Sequence, residues 1–592
     1  MRIEAKHKEE HIIRKVFRSN YMVMLMGIFV AMSGMVVDSI LISRFMKESA
    51  IVAYGVVMTV FLLLNAFSGI LSAGGQAVLG RRLGVGKIDE ANSISSAINK
   101  TTLILSVVFL VLTMFFRKEI LTVLGCPESS GEIHAMGKEY LCGLAIGYPG
   151  ILWMSVFGSF MTMDSDAKRS FLAIIIMTAA NIACDLLSIF VFHGGMFGMA
   201  LATSVSYYVS AAIIIPHFFS KKYSLKLTAP GSSLDQLKEV LKAGTPTGFL
   251  RAAGAMKFAV LNRLLLSIAS ATAVASLTVG KSGWNIYQAF SLAVGMVVLM
   301  MGSAFVSEED SETLEIILRT MTRYCFGPVT LIAAAMLLLA KPITGLFLPE
   351  TSPAFADALF CSICMMISIP LNALNGGMAN YLQSIGKIKA SMICNIMDNC
   401  GMILICAFAM TPFMGVKGVW LAFPLSEVFV SLGLFIYAWI HQKRMPHAFS
   451  DFLFTDRGFG VPASDQISRT LTDLEGVVAC SKEVGEFCRN KDYAKRTSML
   501  MALCVEEMCG NIIEHGFVPG KESTIDVRLF SKDGRLTLRI RDDCRPFDPK
   551  ERYKIYLKRG DFKDYGIKMI VEMTREMRYV NLMKLNILYL EV

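Results

Sequence analysis

The chain has 592 residues, of which 54% are hydrophobic and 18% are charged, and its mean hydropathy is +0.53. Soluble proteins carry about a quarter of charged residues, so most of this chain is predicted to lie in a lipid bilayer. The composition excludes a disordered, collagenous or nucleic-acid-binding protein, and basic residues beside membrane spans account for the net charge of +10.

Twelve apolar runs are long enough to cross a membrane, which takes about 20 mostly apolar residues. Six spans, a basic linker and six more spans predict an all-α membrane domain over residues 1–445, with lobes at about 10–220 and 235–445. Repeated halves with a site at mid-membrane are typical of secondary transporters. The spans centre near Phe29, Leu63, Val108, Leu152, Ile182, Val209, Val260, Leu292, Ala333, Ile367, Ile403 and Leu432.

Basic residues in the loops favour one orientation of these spans. Arg14 and Lys15 precede the first span and Arg81 and Arg82 follow the second, whereas the loop around Gly194 has no lysine or arginine. The loops after the first and third spans weaken this contrast with basic residues of their own. On balance the positive-inside rule predicts a multi-pass protein with both termini in the cytoplasm.

Two carboxylates fall well inside predicted spans. Asp38 lies in the first span and Asp185 in the fifth, and Asn181 precedes Asp185 by one helical turn, so both project from one face. A charged side chain in hydrocarbon costs at least about 2.5 kcal/mol, so it usually faces an internal cavity and has a function. The pair is predicted to take up and release a proton. For Asn181 and Thr203, hydrogen bonding between helices is the alternative.

The second half contains acids and lysines together. Asp398 and Glu427 lie in the last two spans, and they could pair with Lys257 or Lys281. These acids are therefore weaker candidates for an ion site. A buried cation would also repel cationic compounds, which leaves the class of substrate open.

Five short motifs follow one another in the order found in one transporter family. They occupy residues 37–45, 80–91, 119–128, 164–169 and 382–387. Over roughly residues 10–445 the chain thus resembles the multidrug and toxic compound extrusion (MATE) family. The resemblance implies a plasma-membrane antiporter that exports small organic compounds while H⁺ or Na⁺ enters.

The same resemblance assigns the coupling-ion site. It implies that Asp38, Asn181, Asp185 and Thr203 hold the cation, and Tyr140 is a further match. The chain departs from some relatives, because span four lacks an asparagine that they contribute.

The character of the chain changes after the last span. Residues 446–465 are predicted to be a linker and 466–592 a soluble domain. Helical patterns cover about 471–488 and 494–515, and a hairpin with an Asp-Gly turn follows. A helix at about 566–575 and two closing strands complete a predicted α/β sandwich.

Three motifs in this tail carry candidate chemistry. Glu507, Asn511 and His515 are spaced four apart on one helix, Asp542 follows the hairpin, and Gly566 opens the last helix. Together these motifs resemble the ATP-binding domains of the GHKL type, especially the anti-sigma-factor serine kinases. Each motif alone is weak, but all three occur in the family's order.

The resemblance implies a role for each residue. Asn511 would hold Mg²⁺, Glu507 would act as general base, and His515 would support the site. Asp542 would accept a hydrogen bond from the adenine of ATP, and Gly566 would face phosphate. The pattern departs from the family at Cys544, where a glycine is usual, and only Gly560 remains in the lid before Gly566.

The main hypothesis is a cation-coupled antiporter in the membrane with a cytoplasmic ATP-binding regulatory domain. ATP is not expected to drive transport directly, because the chain has no Walker A sequence. The alternative is a membrane receptor whose transporter-like half controls a serine kinase or ATPase that acts on a cytoplasmic protein partner. A third is an inactive tail that docks partners.

Overall fold

The computed structural model describes two connected parts, a helical membrane domain and a mixed α/β domain. Gly560 and Asp564, beside the predicted phosphate-facing helix, lie outside the described residues. The description covers every residue except 1, 47, 125, 228–233, 269–270, 349, 457, 518–519, 521–522, 533 and 560–564.

The membrane domain consists of long helices, the form in which a chain satisfies its own backbone hydrogen bonds in lipid. The first half contains α1 (Arg2–Phe45), α2 (Glu48–Gly84), α3 (Ile88–Phe115), α4 (Arg117–Val123), α5 (Glu132–Ile146), α6 (Tyr148–Met163), α7 (Ala167–Leu187) and α8 (Gly195–Phe219). The second half contains α9 (Leu234–Ile268), α10 (Ala271–Val306), α11 (Ser311–Tyr324), α12 (Thr330–Leu338), α13 (Ala340–Phe347), α14 (Phe355–Ser384), α15 (Ile388–Ile396), α16 (Met402–Met414) and α17 (Val416–Gln442).

Ten of the twelve predicted spans coincide with helical segments of membrane-crossing length in the described chain. Nine are single segments, and α5 with α6 forms a tenth that bends by 52°. The other two, around Phe29 and Val260, lie on α1 and α9, which are 44 and 35 residues long. The prediction of a multi-pass helical membrane protein is confirmed.

The two halves meet closely along α2. A Cβ at Gly74 would lie 2.1 Å from the carbonyl oxygen of Val240 on α9, and a Cβ at Gly84 would lie 1.8 Å from that of Ala304 on α10. Only glycine permits such an approach, as is common where membrane helices cross. The halves are therefore in contact at the carboxyl end of α2, on the side of the membrane domain that the α/β domain covers.

The α/β domain is built on a five-stranded antiparallel sheet in the order β1-β2-β3-β5-β4. The predicted hairpin forms as β2 and β3, whereas β1 and α20 were not predicted. The strands are β1 (Gln466–Leu471), β2 (Ile525–Lys532), β3 (Arg535–Asp542), β4 (Glu576–Leu582) and β5 (Leu585–Glu591). The helices are α18 (Leu474–Asn490), α19 (Lys495–Asn511), α20 (Pro549–Arg559) and α21 (Tyr565–Met573).

Both faces of this sheet are buried. Because side chains alternate along a strand, Leu538 and Ile540 of β3 join the core of the α/β domain, whereas Arg539 and Arg541 point to the opposite face. On that opposite face Tyr589 of β5 packs into the core of the membrane domain. We call this second face the docking face, and it fixes the α/β domain against the membrane helices.

Candidate functional site

The two predicted carboxylates lie next to each other inside the amino-terminal half. Asp38 of α1 and Asp185 of α7 are within hydrogen-bonding contact, and they are 7% and 0% exposed. The Oδ1 atom of each is buried without a hydrogen-bond partner among the described residues. Because an unpartnered buried oxygen costs free energy, the pair presents acceptors that a proton or a small cation can satisfy.

The other predicted ion-site residues surround this pair. Asn181 Nδ2 donates to Asp185 Oδ2 at 3.2 Å, the contact expected one turn apart on a helix. The Tyr140 hydroxyl is hydrogen-bonded with Thr203. The structure thus brings all five predicted residues together from α1, α5, α7 and α8.

A cavity of about 340 Å³ adjoins the pair at Asp38. Asp38, Tyr140, Asn181 and Thr203 contribute to its lining. Gly34, one turn before Asp38, also lines this cavity. The site therefore combines buried acids with an open space beside them.

In the second half Glu427 is held by amide groups, whereas Asp398 keeps one buried oxygen without a partner among the described residues. Asn375 Nδ2 donates to Glu427 Oε2 at 2.9 Å. Asn372 Nδ2 lies 3.2 Å from Glu427 Oε1 and 3.4 Å from Asp398 Oδ2. Asp398 occupies a π-helical turn, Met397–Gly401, between α15 and α16. Both oxygens of Glu427 thus have protein donors.

Two lysines of this half lie against aromatic rings. Lys257 Nζ is 5.9 Å from the ring centre of Trp284, and Lys281 Nζ is 4.6 Å from that of Phe258. Among the described residues neither lysine has an ion-pair partner, so the pairing with Asp398 or Glu427 that the sequence allows is not formed.

In the α/β domain, Asp542 lies buried at the end of β3. It accepts hydrogen bonds from Asn586 Nδ2 and from the backbone N–H of Cys544, each at 2.8 Å. Burial raises the pKa of Asp542 to about 6. The Tyr579 hydroxyl is 2.8 Å from Asn586 Oδ1 and helps to orient that amide.

Glu507 of α19 lies at the amino-terminal end of α21. A Cβ at Gly566 would be 2.0 Å from Glu507 Oε2, so any side chain there would displace the carboxylate. A helix amino terminus favours negative charge. The structure therefore joins two predicted residues at a place suited to an anion.

Asn511 and His515 lie at the end of the same helix. Asn511 is the last residue of α19, and His515 lies in a π-helical turn, Ile512–Gly516. This wider turn moves His515 out of the regular α-helical row that the sequence predicts. In the described part of the chain, the side chains of Glu507, Asn511 and His515 have no hydrogen-bond partner, so they are open to a ligand.

A buried ionic network joins the docking face to the loop between α10 and α11. Arg539 lies 2.5 Å from Glu308, 2.7 Å from Asp310 and 2.6 Å from Asp526. Arg541 lies 2.9 Å from Asp526. All five side chains belong to residues that are at most 5% exposed. Such a network binds firmly only while every charge has a partner.

Asp310 is the central acid of this network. Burial by itself would raise the pKa of Asp310, but the guanidinium groups of Arg539 and Arg528 outweigh it and hold the pKa below its usual range. Asp310 also caps α11 by accepting from the Thr313 N–H at 3.1 Å. One residue thus starts a membrane helix and binds the α/β domain.

The docking face also contacts the amino-terminal half. The Tyr589 hydroxyl donates to the Gly84 carbonyl at 2.6 Å, and Arg578 Nη1 donates to the Val85 carbonyl at 2.7 Å. These contacts lie at the carboxyl end of α2, whereas the ionic network lies at the amino-terminal end of α11. The α/β domain therefore bridges the two halves of the membrane domain.

Comparison with protein families assigns the membrane part. The MatE family model matches residues 23–187 and 246–409, once in each half and together more than half of the chain. This chain belongs to the MatE family. The first match contains both carboxylates of the buried pair, Asp38 and Asp185.

The tail of this MatE protein matches a second family. The model of the histidine kinase-like ATPase domain covers residues 471–590. This confirms the kind of domain predicted from the three motifs, and it implies that the tail binds ATP.

Relatives of known name resemble the membrane part. "Multidrug export protein MepA" of Staphylococcus haemolyticus is 23% identical over 440 residues, which are 72% of this chain and 94% of the relative. "Probable multidrug resistance protein YoeA" of Bacillus subtilis is 20% identical over 436 residues, 69% of this chain and 90% of the relative.

Solved structures share the fold. The Vibrio cholerae MATE transporter VcmN in its bent form has a TM-score of 0.68 and 19% identity, covering 76% of this chain and 100% of that one. A MOP superfamily transporter from Pyrococcus furiosus has a TM-score of 0.66 and 20% identity, covering 74% and 97%.

Several residues of the sites were not predicted from the sequence. Asn586, which orients Asp542, comes from β5, and no local motif marks it. Arg539 and Arg541 alternate with apolar residues of β3, and that pattern could have indicated a sheet buried on both faces. Arg251 of α9 lines the cavity beside Asp38, although an arginine inside a predicted span is itself a signal.

Proposed function

We propose that this MatE protein is an antiporter that exports small organic compounds across the plasma membrane while H⁺ or Na⁺ enters. The observation that carries the proposal is the contact between Asp38 and Asp185, both buried and both with an unpartnered oxygen. The multidrug names of the relatives support the class of activity. We further propose twelve spans in two six-helix lobes, a linker at 446–465 and both termini in the cytoplasm.

The buried pair supplies a physical means of coupling. Two carboxyl groups in contact repel each other when both are charged, so a proton or cation between them stabilises the arrangement. When the cation leaves, the pair favours a rearrangement that separates or rehydrates the acids. Since α1, α5, α7 and α8 all contribute, such a change would move the whole amino-terminal lobe.

Transport by reconstituted protein tests the coupling. Full-length protein in liposomes should accumulate a fluorescent substrate when a proton or sodium gradient is imposed, and a pH-sensitive dye distinguishes the two ions. Asp38→Asn should abolish gradient-driven uptake because it removes one charge of the pair. Glu128→Gln is the matched control, since Glu128 pairs with Lys118 on the exposed surface. Uptake that survives Asp38→Asn would refute the site.

We propose that the tail is a cytoplasmic regulatory domain that binds ATP and Mg²⁺. Asn511, without a protein partner among the described residues, offers the oxygen that a hard cation prefers. Glu507 at the start of α21 fits the general base of an ATPase or kinase, and His515 supports the site. Bound Mg²⁺ would neutralise phosphate charge, while Asp542 orients the adenine.

Regulation would pass through the docking face. The tail contacts both lobes, and an alternating-access cycle requires the lobes to move relative to each other. A further contact links the nucleotide site to α1, because Lys15 Nζ is 2.5 Å from Asp543, the residue after Asp542. A nucleotide at Asp542 would therefore act on the docking face, which contacts both lobes.

Nucleotide binding to the full chain tests this role. Wild-type protein should bind ATP in a Mg²⁺-dependent way, and Asn511→Ala should remove the dependence on Mg²⁺. Asn490→Ala at the end of α18 is the control, because it makes the same change in the same domain. Mg²⁺-dependent binding that is unchanged in Asn511→Ala would contradict the assignment.

The alternative function is a receptor whose transporter-like half controls a serine-kinase-like tail. It is favoured by the open position of Glu507, which a purely structural tail would not need. Incubation of the full chain with labelled ATP and candidate cytoplasmic proteins distinguishes the two. Transfer of label that stops in Glu507→Gln would support the receptor, and its absence alongside intact ATP binding would support regulation.

A further inference from the structure

Arg251 lies in the middle of the membrane domain, at the boundary of two adjoining cavities. It projects from α9 and lines both the cavity of about 340 Å³ beside Asp38 and a second cavity of about 400 Å³. The two cavities also share Asn65 and Tyr207. One guanidinium group therefore faces the whole space in which a transported compound would lie.

Gly69 on α2 leaves room for the guanidinium group of Arg251. A Cβ at Gly69 would lie 2.9 Å from Arg251 Nε, so a larger residue would displace the group. Among the described residues Arg251 has no hydrogen-bond or ion-pair partner. Arg251 is exposed to the space that these cavities form, so its guanidinium group is accessible to a bound compound.

No acid among the described residues that line the larger cavity could neutralise this charge. Arg251 is the one charged residue among the described residues that line it. Its other walls are mostly apolar and rich in methionine, which adapts to ligands of different shape. In the smaller cavity the described charged residues are Asp38 and Arg251.

We propose that these joined cavities bind amphiphilic organic anions, with the acidic group of the substrate on Arg251 and its apolar body among the methionines. The inference rests on the proposed export function and names its substrate class. The guanidinium offers several donors in one plane, which suits a carboxylate, sulfonate or phosphate group. A cationic compound in the same place would face Arg251 without a compensating acid in the larger cavity.

Binding without any gradient tests the substrate class separately from ion coupling. Full-length protein in nanodiscs of zwitterionic phosphatidylcholine is titrated with anilinonaphthalene sulfonate and with phenylnaphthylamine, which has the same rings and no sulfonate. A cationic rhodamine is the third probe, and empty nanodiscs are the blank. The wild type should bind the sulfonate about tenfold more tightly than the neutral dye or the cation, the order expected for a charge-assisted contact.

Variants of one helix identify the group responsible. Arg251→Gln should remove the preference for the sulfonate, and Arg251→Lys should keep part of it. Arg263→Gln on the same α9 makes the same change outside the cavities and should bind like wild type. Comparable melting temperatures of the variants exclude misfolding.

Two results would overturn the proposal: a sulfonate affinity that is unchanged in Arg251→Gln, or a wild type that prefers the cation or binds all three dyes alike. Failure of the coupling proposal looks different, because gradient-driven uptake would then be missing while the Arg251-dependent preference remained. Asp38→Asn sharpens the distinction. It should not weaken binding of the sulfonate, since it removes a negative charge from the cavity.

Discussion

The two halves of the membrane domain carry buried acids in similar places, but the surroundings of these acids differ. In the first half Asp38 and Asp185 receive one amide donor and adjoin a cavity. In the second half Glu427 has a donor on each oxygen from Asn372 and Asn375. Asp398 Oδ1 is also buried without a partner among the described residues. The adjoining cavity, rather than the presence of a buried acid, thus marks the first half as the candidate ion site.

The largest expected effect lies in this pair of clusters. Asp185→Asn should abolish gradient-driven uptake, because a neutral amide cannot exchange a proton or attract a cation. Asp398→Asn, the corresponding change in the second half, should leave most uptake intact. Both variants are compared in liposomes under the same gradient. Equal loss in both would show that the two halves work alike.

The halves also differ in how they hold the tail. The second half binds it through the buried network of Arg539, Glu308 and Asp310. The first half uses backbone carbonyls and the partly exposed ion pair of Lys15 with Asp543. The amino-terminal lobe thus holds the candidate ion site, and the carboxyl-terminal lobe anchors the α/β domain most strongly.

Loss of the network should therefore be the second largest effect. Arg539→Gln leaves Glu308 and Asp310 buried without their main partner, which costs about 3–5 kcal/mol. The tail should come off the membrane domain, and limited proteolysis at the linker should become faster. Arg578→Gln removes one contact at the amino-terminal half and should have a much smaller effect. If both variants resist protease like wild type, the network does not hold the tail.

The sequence was sufficient for those features that depend on short spacings. Asn181 and Asp185 are one turn apart in any helix, and Asp-Gly between alternating strands predicts the hairpin that forms. The docking face could not be predicted in this way, because Arg539 meets Glu308 only after more than two hundred intervening residues have folded. Asn586 could not be predicted for the same reason. It lies on β5 and its partner Asp542 lies on β3, and 44 positions in the sequence separate them.

Some local structure was also missed for local reasons. The strand β1 begins with Gln466 and contains polar residues throughout, so its alternation is weak and the helical pattern that follows dominates. The turn Ile512–Gly516 continues a helical pattern, and periodicity alone does not separate a π-helical turn from an α-helical one. The spacing of four therefore predicts the place of Asn511 on α19 but not that of His515.

A smaller effect is expected from the contact between Glu507 and α21. Gly566→Ala should displace the Glu507 carboxylate and slow ATP hydrolysis or transfer, if the tail performs either, and it should weaken ATP binding by about tenfold. Gly510→Ala on α19 is the control, because a Cβ there meets nothing within 4 Å. Calorimetric titration of the full chain gives the affinities. Transport in the absence of nucleotide should be the same in both variants. A loss of transport in Gly566→Ala would contradict the proposal that the lobes transport and the tail binds nucleotide.

The smallest expected effect is the pH dependence of nucleotide binding. The pKa of Asp542 is raised to about 6 by burial, so the carboxylate that accepts from adenine is present above that pH and is lost as the pH falls through it. Affinity for ATP should then fall by a few-fold between about pH 7.5 and about pH 5. Stability runs the other way, because the proton is bound more tightly in the folded state. The contribution of Asp542 to folding is fully present below its unfolded pKa of 3.8 and is lost as the pH rises through about 6. Asp542→Asn should flatten both profiles, and an affinity that still falls with pH in this variant would assign the titration to another group.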